Sequence, residues 1–178
     1  MKKLRFLLLD AGPIIKLFEL GIWESFIARC DVTITATVAD QAQYAVREDG
    51  DIAIDLDGYR ARGQLQIVDT DVTADRAFYD QFDAAYQTQI HDGEKQTLAF
   101  LCRTAQPWQL CAADGAVFRV LGRLGRGEQG TSLEEVLLMI GLARDLPWQY
   151  TREFREKYTK LGQIDAVQGG GVRGNSAP

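Results

Sequence analysis

Apolar residues fall into short unbroken runs and longer stretches at helical spacing, and the two kinds alternate along the chain. The first run, Leu4-Arg5-Phe6-Leu7-Leu8-Leu9, ends at Asp10, and Gly12-Pro13 follows closely. A run this short, closed by turn residues, reads as a strand buried on both faces. Beyond Pro13, Ile14, Ile15, Leu17, Phe18, Leu20 and Ile22 recur with helical period. That helix is expected to end near Gly21-Ile22-Trp23, and a connecting segment leads to Cys30. Residues 31–36, rich in β-branched side chains, predict a second strand. Thr37 then caps a helix carrying Val38, Ala42, Ala45 and Val46 and stopping around Asp49-Gly50. Residues 51–63 give mixed signals and read as irregular. Residues 65–69 read as a third strand, short enough for a sheet edge.

In the second half, Thr73 opens a helix on which Phe78, Phe82, Ala85 and Tyr86 recur, and a break follows at 90–93. Residues 94–101 are helical, and Pro107 closes that region. Residues 109–113 predict a strand that stops at Asp114-Gly115, as the first stops at Asp10. Val117, Val120, Leu121 and Leu124 form the apolar face of the next helix. Residues 125–130 make a glycine-rich turn, and Ser132 with Glu135 forms a capping box for a helix over 133–144. Thr151 caps a last amphipathic helix through Leu161, with Gly162 as its terminator. Residues 1–165 therefore read as one domain, and 166–178 as a flexible Gly-rich tail.

Strands alternating with helices predict an α/β fold, a three-layer αβα arrangement around a mainly parallel central sheet. This has a geometric consequence. In right-handed crossovers, strand C-termini and helix N-termini share one edge of the sheet, which is where such sheets bind ligands. Asp10 and Asp114 each end a strand, and Glu94 lies in the first turn of a helix. Three carboxyls remote in sequence should converge there, with Asp92 as a fourth candidate.

The remaining composition narrows the chemistry. A net charge of −5 argues against tight non-specific binding to nucleic acid, which rests on basic surface. It leaves room for an enzyme whose acids surround a cation, because the ion reverses the local charge. The lone His91 rules out a site built on two imidazoles. Cys30, Cys102 and Cys111 lack CxxC spacing and read as reduced, mostly buried thiols. No apolar run approaches the roughly 20 residues that cross a bilayer, and a cytoplasmic protein is expected. Converging carboxylates repel and need protons or a cation. Oxygen ligands suit Mg²⁺ or Mn²⁺, whose usual work in such a setting is phosphoryl chemistry through an activated water. The plainer reading has Asp10 and Asp114 capping the helices that follow them, and Glu94 favoured by the helix dipole alone. Trp23, Trp108 and Trp148 read as core or interface residues, and Asp55, Asp57, Asp69, Asp71 and Asp75 as solvated loop charges.

These residues resemble a known family. Leu7-Leu8-Leu9-Asp10-Ala11-Gly12-Pro13-Ile14-Ile15 is similar to the opening of PIN domains. Asp92-Gly93-Glu94-Lys95-Gln96-Thr97-Leu98-Ala99 resembles the Gly-Glu helix start that supplies a second acid in one branch. Leu110-Cys111-Ala112-Ala113-Asp114-Gly115-Ala116 looks like the later strand that ends in a metal-binding Asp. The resemblance spans roughly residues 4–145 and implies a Mg²⁺- or Mn²⁺-dependent endoribonuclease with Asp10, Glu94 and Asp114 as ligands. Such proteins are often toxins held by a cognate antitoxin, and a homodimer is plausible by the same analogy. The family also places an acid in its second helix. Here that position falls at Gln41, beside Asp40, and Gly12 stands where Ser, Thr or Asn is frequent. A degenerate module that binds RNA or a protein partner without cutting is the alternative.

Overall fold

The computed structural model describes residues 3–48 and 50–173. Five parallel strands form the central sheet: β1 (Leu4–Leu9), β2 (Cys30–Thr35), β5 (Leu65–Val68), β6 (Gln109–Cys111) and β7 (Gly130–Thr131). Their order is β5-β2-β1-β6-β7, so the organising first strand is central and β5 lies at an edge, as expected. Register pairs Leu7 with Val32, Leu9 with Cys111, and Ile34 with Ile67.

Because side chains alternate across a strand, β1 feeds two cores at once. Leu7 and Leu9 join one apolar cluster with Ile14, Leu17, Phe26, Ile34 and Val136. Leu8 enters the other, with Leu98, Leu101, Leu110, Phe118 and Leu121. All three leucines are fully buried, which is why Leu7–Leu9 shows no polar alternation. The α/β architecture with helices on both faces follows directly. Among the described residues, no helix is long and apolar enough to cross a membrane.

Helix α1 (Ala11–Glu19) follows β1, and the expected connecting segment contains a short helix, α2 (Trp23–Ile27). Larger departures come next. The helix expected over 37–49 stops early as α3 (Ala36–Gln41). It gives way to an antiparallel hairpin, β3 (Tyr44–Arg47) and β4 (Gly50–Ala53). The Asp-Gly pair read as a helix stop is equally a hairpin signal; Asp49 lies outside the described residues, and Gly50 has φ +124°. Arg47 fixes the hairpin by donating two bonds to the carbonyl of Phe18, at 2.9 and 2.6 Å. The segment read as irregular carries β4 and then α4 (Leu56–Ala61), capped by Asp55.

The helix expected from Thr73 is two: α5 (Val72–Asp80), capped by Asp71, and α6 (Ala84–Gln87), capped by Asp83. The break between them holds a contact invisible locally. Phe82 bridges antiparallel to Val172, Asp83 N–H donates to the Gly171 carbonyl at 3.1 Å, and Arg173 N–H donates to the Gln81 carbonyl at 2.9 Å. Part of the expected free tail is therefore docked, with Val172 half-buried against the second apolar cluster; residues 174–178 lie outside the described residues.

Helix α7 (Asp92–Arg103) precedes β6, and α8 (Gly115–Arg123) follows it. The capping box at Ser132 and Glu135 is present at the start of α9 (Leu133–Met139). That helix ends five residues before the expected limit, because Gly141 takes φ +72° and Leu142 N–H closes onto the Leu137 carbonyl. The last helix, α10 (Arg152–Val167), runs through Gly162 instead of stopping there. Gly162 is a packing residue: a Cβ would overlap the Arg119 carbonyl of α8, and one on Gly122 would overlap the Thr159 carbonyl of α10. Glycine here brings two helix backbones together. The glycine-rich turn ends in a further short strand, β7, which starts at Gly130 and takes in Thr131.

Candidate active site

Asp10 directly follows β1, and its N–H still donates to the Cys111 carbonyl at 3.0 Å, one step further along the β1–β6 ladder. It occupies the N-cap position of α1, yet its carboxyl makes no capping bond to that helix. The capping explanation therefore fails for Asp10. Asp114, beyond β6, does cap: it accepts from Ala116 N–H at 2.7 Å at the start of α8. Glu94 in the first turn of α7 accepts from His91 N–H at 2.8 Å.

The three carboxyls line one cleft of about 380 Å³ at the C-terminal edge of the sheet. Asp10 and Glu94 are buried, at 8% and 7% exposure. Burial raises the Asp10 pKa to about 6; the Asp114 charge adds to the rise, while the Ala11 N–H opposes it. Glu94 is pushed well above the usual carboxylate range, first by burial, then by the charges of Asp114 and Asp10 and a hydrogen bond with Asp114; the His91 N–H opposes this. Asp10 thus feels the Asp114 charge, and Glu94 feels both aspartates, which sequence separation alone could not guarantee.

The secondary candidates separate. Gln41, from the end of α3, lines the cleft, and its amide packs where a side chain at Gly93 would otherwise lie. Asp40, one residue earlier, is exposed and borders a different depression with Tyr44 and Asp57. Asp92 also faces away. Its side chain is 82% exposed, it pairs with Lys95 at 2.7 Å, and that ammonium holds its pKa below the usual range. Of these two neighbours it is Gln41, and not Asp40, that the chain turns into the cleft. Gly12 approaches closely, since a Cβ there would lie 3.3 Å from Ala113 Cβ. A side chain at this position would crowd the junction between the β1 and β6 ends.

Two further cleft residues come from a segment without a sequence signal, the 3₁₀ turn Trp148–Tyr150, which brings Gln149 and Tyr150 to the rim. His91, read as a surface-loop residue, is exposed but also lines the cleft from the N-cap of α7. Among the acids expected in solvated loops, Asp75 is an exception. It is buried, bonded to the Thr70 hydroxyl and 3.7 Å from the Arg103 guanidinium. Trp23 is a core residue stacked on Phe18, while Trp148 is half-exposed against Phe154 and lies outside the cleft lining. All three cysteines are free thiols, and Cys30 and Cys111 are buried.

Every donor that the three acids offer is a carboxyl oxygen, a set suited to a hard divalent ion. Among the described residues, no group of three or more His, Cys, Asp and Glu side chains is arranged to hold a metal ion as it stands. Their burial and mutual repulsion nonetheless call for protons or a cation. Compared with protein-family models, with curated proteins and with solved structures, the chain gives no match.

Proposed function

We propose that this protein is a divalent-metal-dependent endoribonuclease hydrolysing phosphodiester bonds. The supporting observation is the burial of Asp10 and Glu94 beside Asp114 at the C-terminal edge of a parallel sheet. Such placement is costly for stability, and Asp10 makes no capping bond that would account for it. Asp10, Glu94 and Asp114 would hold Mg²⁺ or Mn²⁺. When bound, the ion supplies Lewis-acid polarisation of a phosphate oxygen and a water acidic enough to attack near neutral pH.

The chain's own residues supply positioning. The His91 amide fixes one oxygen of Glu94 and the Ala116 amide one oxygen of Asp114, which orients both carboxyls at the cleft. Asp10 is set by the strand ladder itself. Among the described residues, no serine or cysteine nucleophile lines the cleft, in keeping with direct attack by water. The resemblance to PIN domains points to RNA as the substrate.

Degradation of single-stranded RNA with Mn²⁺ or Mg²⁺, by wild type and by Asp10→Asn and Asp114→Asn, tests the reading. Cleavage by the wild type and its loss in both variants is expected, whereas equal cleavage by all three rejects it. One observation favours a second reading, a module that binds RNA without cutting. Gln41 places a neutral amide, packed on Gly93, on the cleft wall. RNA binding by the wild type with no cleavage in either metal would select that reading.

A further inference from the structure

A cleft walled by carboxyls repels the phosphodiester it is proposed to cut, and among the described residues no lysine or arginine lines this one. The anion must then be met by neutral donors as well as by any bound cation. Besides the His91 imidazole, three cleft side chains carry N–H or O–H groups: Gln41, Gln149 and Tyr150. Tyr150 is the most firmly held. It is 8% exposed and its ring belongs to the apolar cluster beneath β1. The Lys16 ammonium lies 5.5 Å from the ring centroid, itself paired with Glu19.

The phenol group is held by its buried ring and slack at its oxygen. The phenol O–H is directed at the Gly12 carbonyl, two residues beyond Asp10, but at 3.4 Å. Hydroxyl bonds are normally about 2.7–2.8 Å, so this proton is weakly committed. A charged phosphate oxygen is a much stronger acceptor than a distant carbonyl.

Resting on the ribonuclease reading, we infer that Tyr150 is a substrate-binding residue whose phenol O–H leaves the Gly12 carbonyl and donates to a non-bridging oxygen of the scissile phosphodiester. The buried ring makes the donor rigid, so the switch needs only rotation of the hydroxyl.

The test compares wild type with Tyr150→Phe on a defined single-stranded RNA, in normal form and with Rp or Sp phosphorothioate at the cut. Binding of the same RNA is measured in parallel in an Asp114→Asn background, with and without Tyr150→Phe. A hydrogen bond to a charged group predicts a loss of about tenfold or more in kcat/KM and in RNA affinity. Wild type should discriminate between the two diastereomers, and Tyr150→Phe should lose part of that discrimination, which a merely structural tyrosine would not affect. Unchanged affinity and unchanged diastereomer discrimination overturn the inference. If the wild type binds RNA without cutting, the nuclease reading fails separately, and the binding arm alone decides Tyr150. If it neither binds nor cuts, both fall. Should Tyr150→Phe fold poorly, the wild type alone is read on the two diastereomers, and equal rates and affinities for both overturn the inference equally.

Discussion

The Asp10 carboxyl should make the metal-free protein less stable than it could be, and Asp10→Asn should reveal by how much. Burial and the nearby Asp114 raise its pKa from the ordinary 3.8 to about 6. At about 1.4 kcal/mol for each pH unit, ionising Asp10 in the folded state costs about 3 kcal/mol more than in the unfolded chain. The sign follows from proton linkage: the native state holds a proton that the unfolded state has already released. Stability from this group is therefore greatest below pH 4 and is lost as pH rises through 6. Asparagine has nearly the same shape and no charge to desolvate. In chelator at pH 7.5, Asp10→Asn should be more stable than wild type by up to about 3 kcal/mol, or about 6–12 °C in Tm for a chain of this size. At pH 4.5 the difference should shrink to about 1 kcal/mol. Urea unfolding of both proteins across that range measures it. Comparing the pair cancels acids with the opposite sign, such as Asp165, whose pKa the Arg119 guanidinium lowers. A variant no more stable than wild type at pH 7.5, or a gain independent of pH, would refute the argument that this carboxyl is held at a cost.

Three other outcomes follow from the same geometry. Mn²⁺ at a hundredfold over its Kd should stabilise the wild type by about 2.7 kcal/mol and leave Asp10→Asn nearly unaffected; at pH 5.5, calorimetry in two buffers should register proton release. Gly162→Ala should destabilise by about 1–3 kcal/mol, read as a lower urea midpoint, because its Cβ overlaps the Arg119 carbonyl; an unchanged midpoint would show that α8 and α10 can part at little cost. Gln41→Glu adds a fourth carboxyl to the cleft and should tighten Mn²⁺ binding while lowering metal-free stability, measured by titration and by urea.

Local patterns recovered most of the sheet. Runs with a single meaning, such as Leu7-Leu8-Leu9 and Leu110-Cys111, appear as central strands, and the Ser132–Glu135 box starts a helix where it should. Errors gathered where one signal serves two structures. Asp49-Gly50 suits a helix stop or a hairpin turn. Gly162 suits a helix end or a close helix crossing, and only the presence of α8 selects the crossing. The break at Phe82 depends on Val172, some ninety residues on, and no local window contains that partner.

The same division holds at the site. By itself the sequence determined that Asp10, Glu94 and Asp114 would stand at strand ends or in a helix's first turn, because apolar runs and turn residues specify where backbone elements begin and stop. Tertiary structure alone decided that Asp40 and Asp92 turn outward, that Gln41 lies over Gly93, and that Gln149 and Tyr150 close the rim. Side-chain direction depends on how helices rotate and pack against the sheet, and that energy is summed over contacts between residues far apart in the chain.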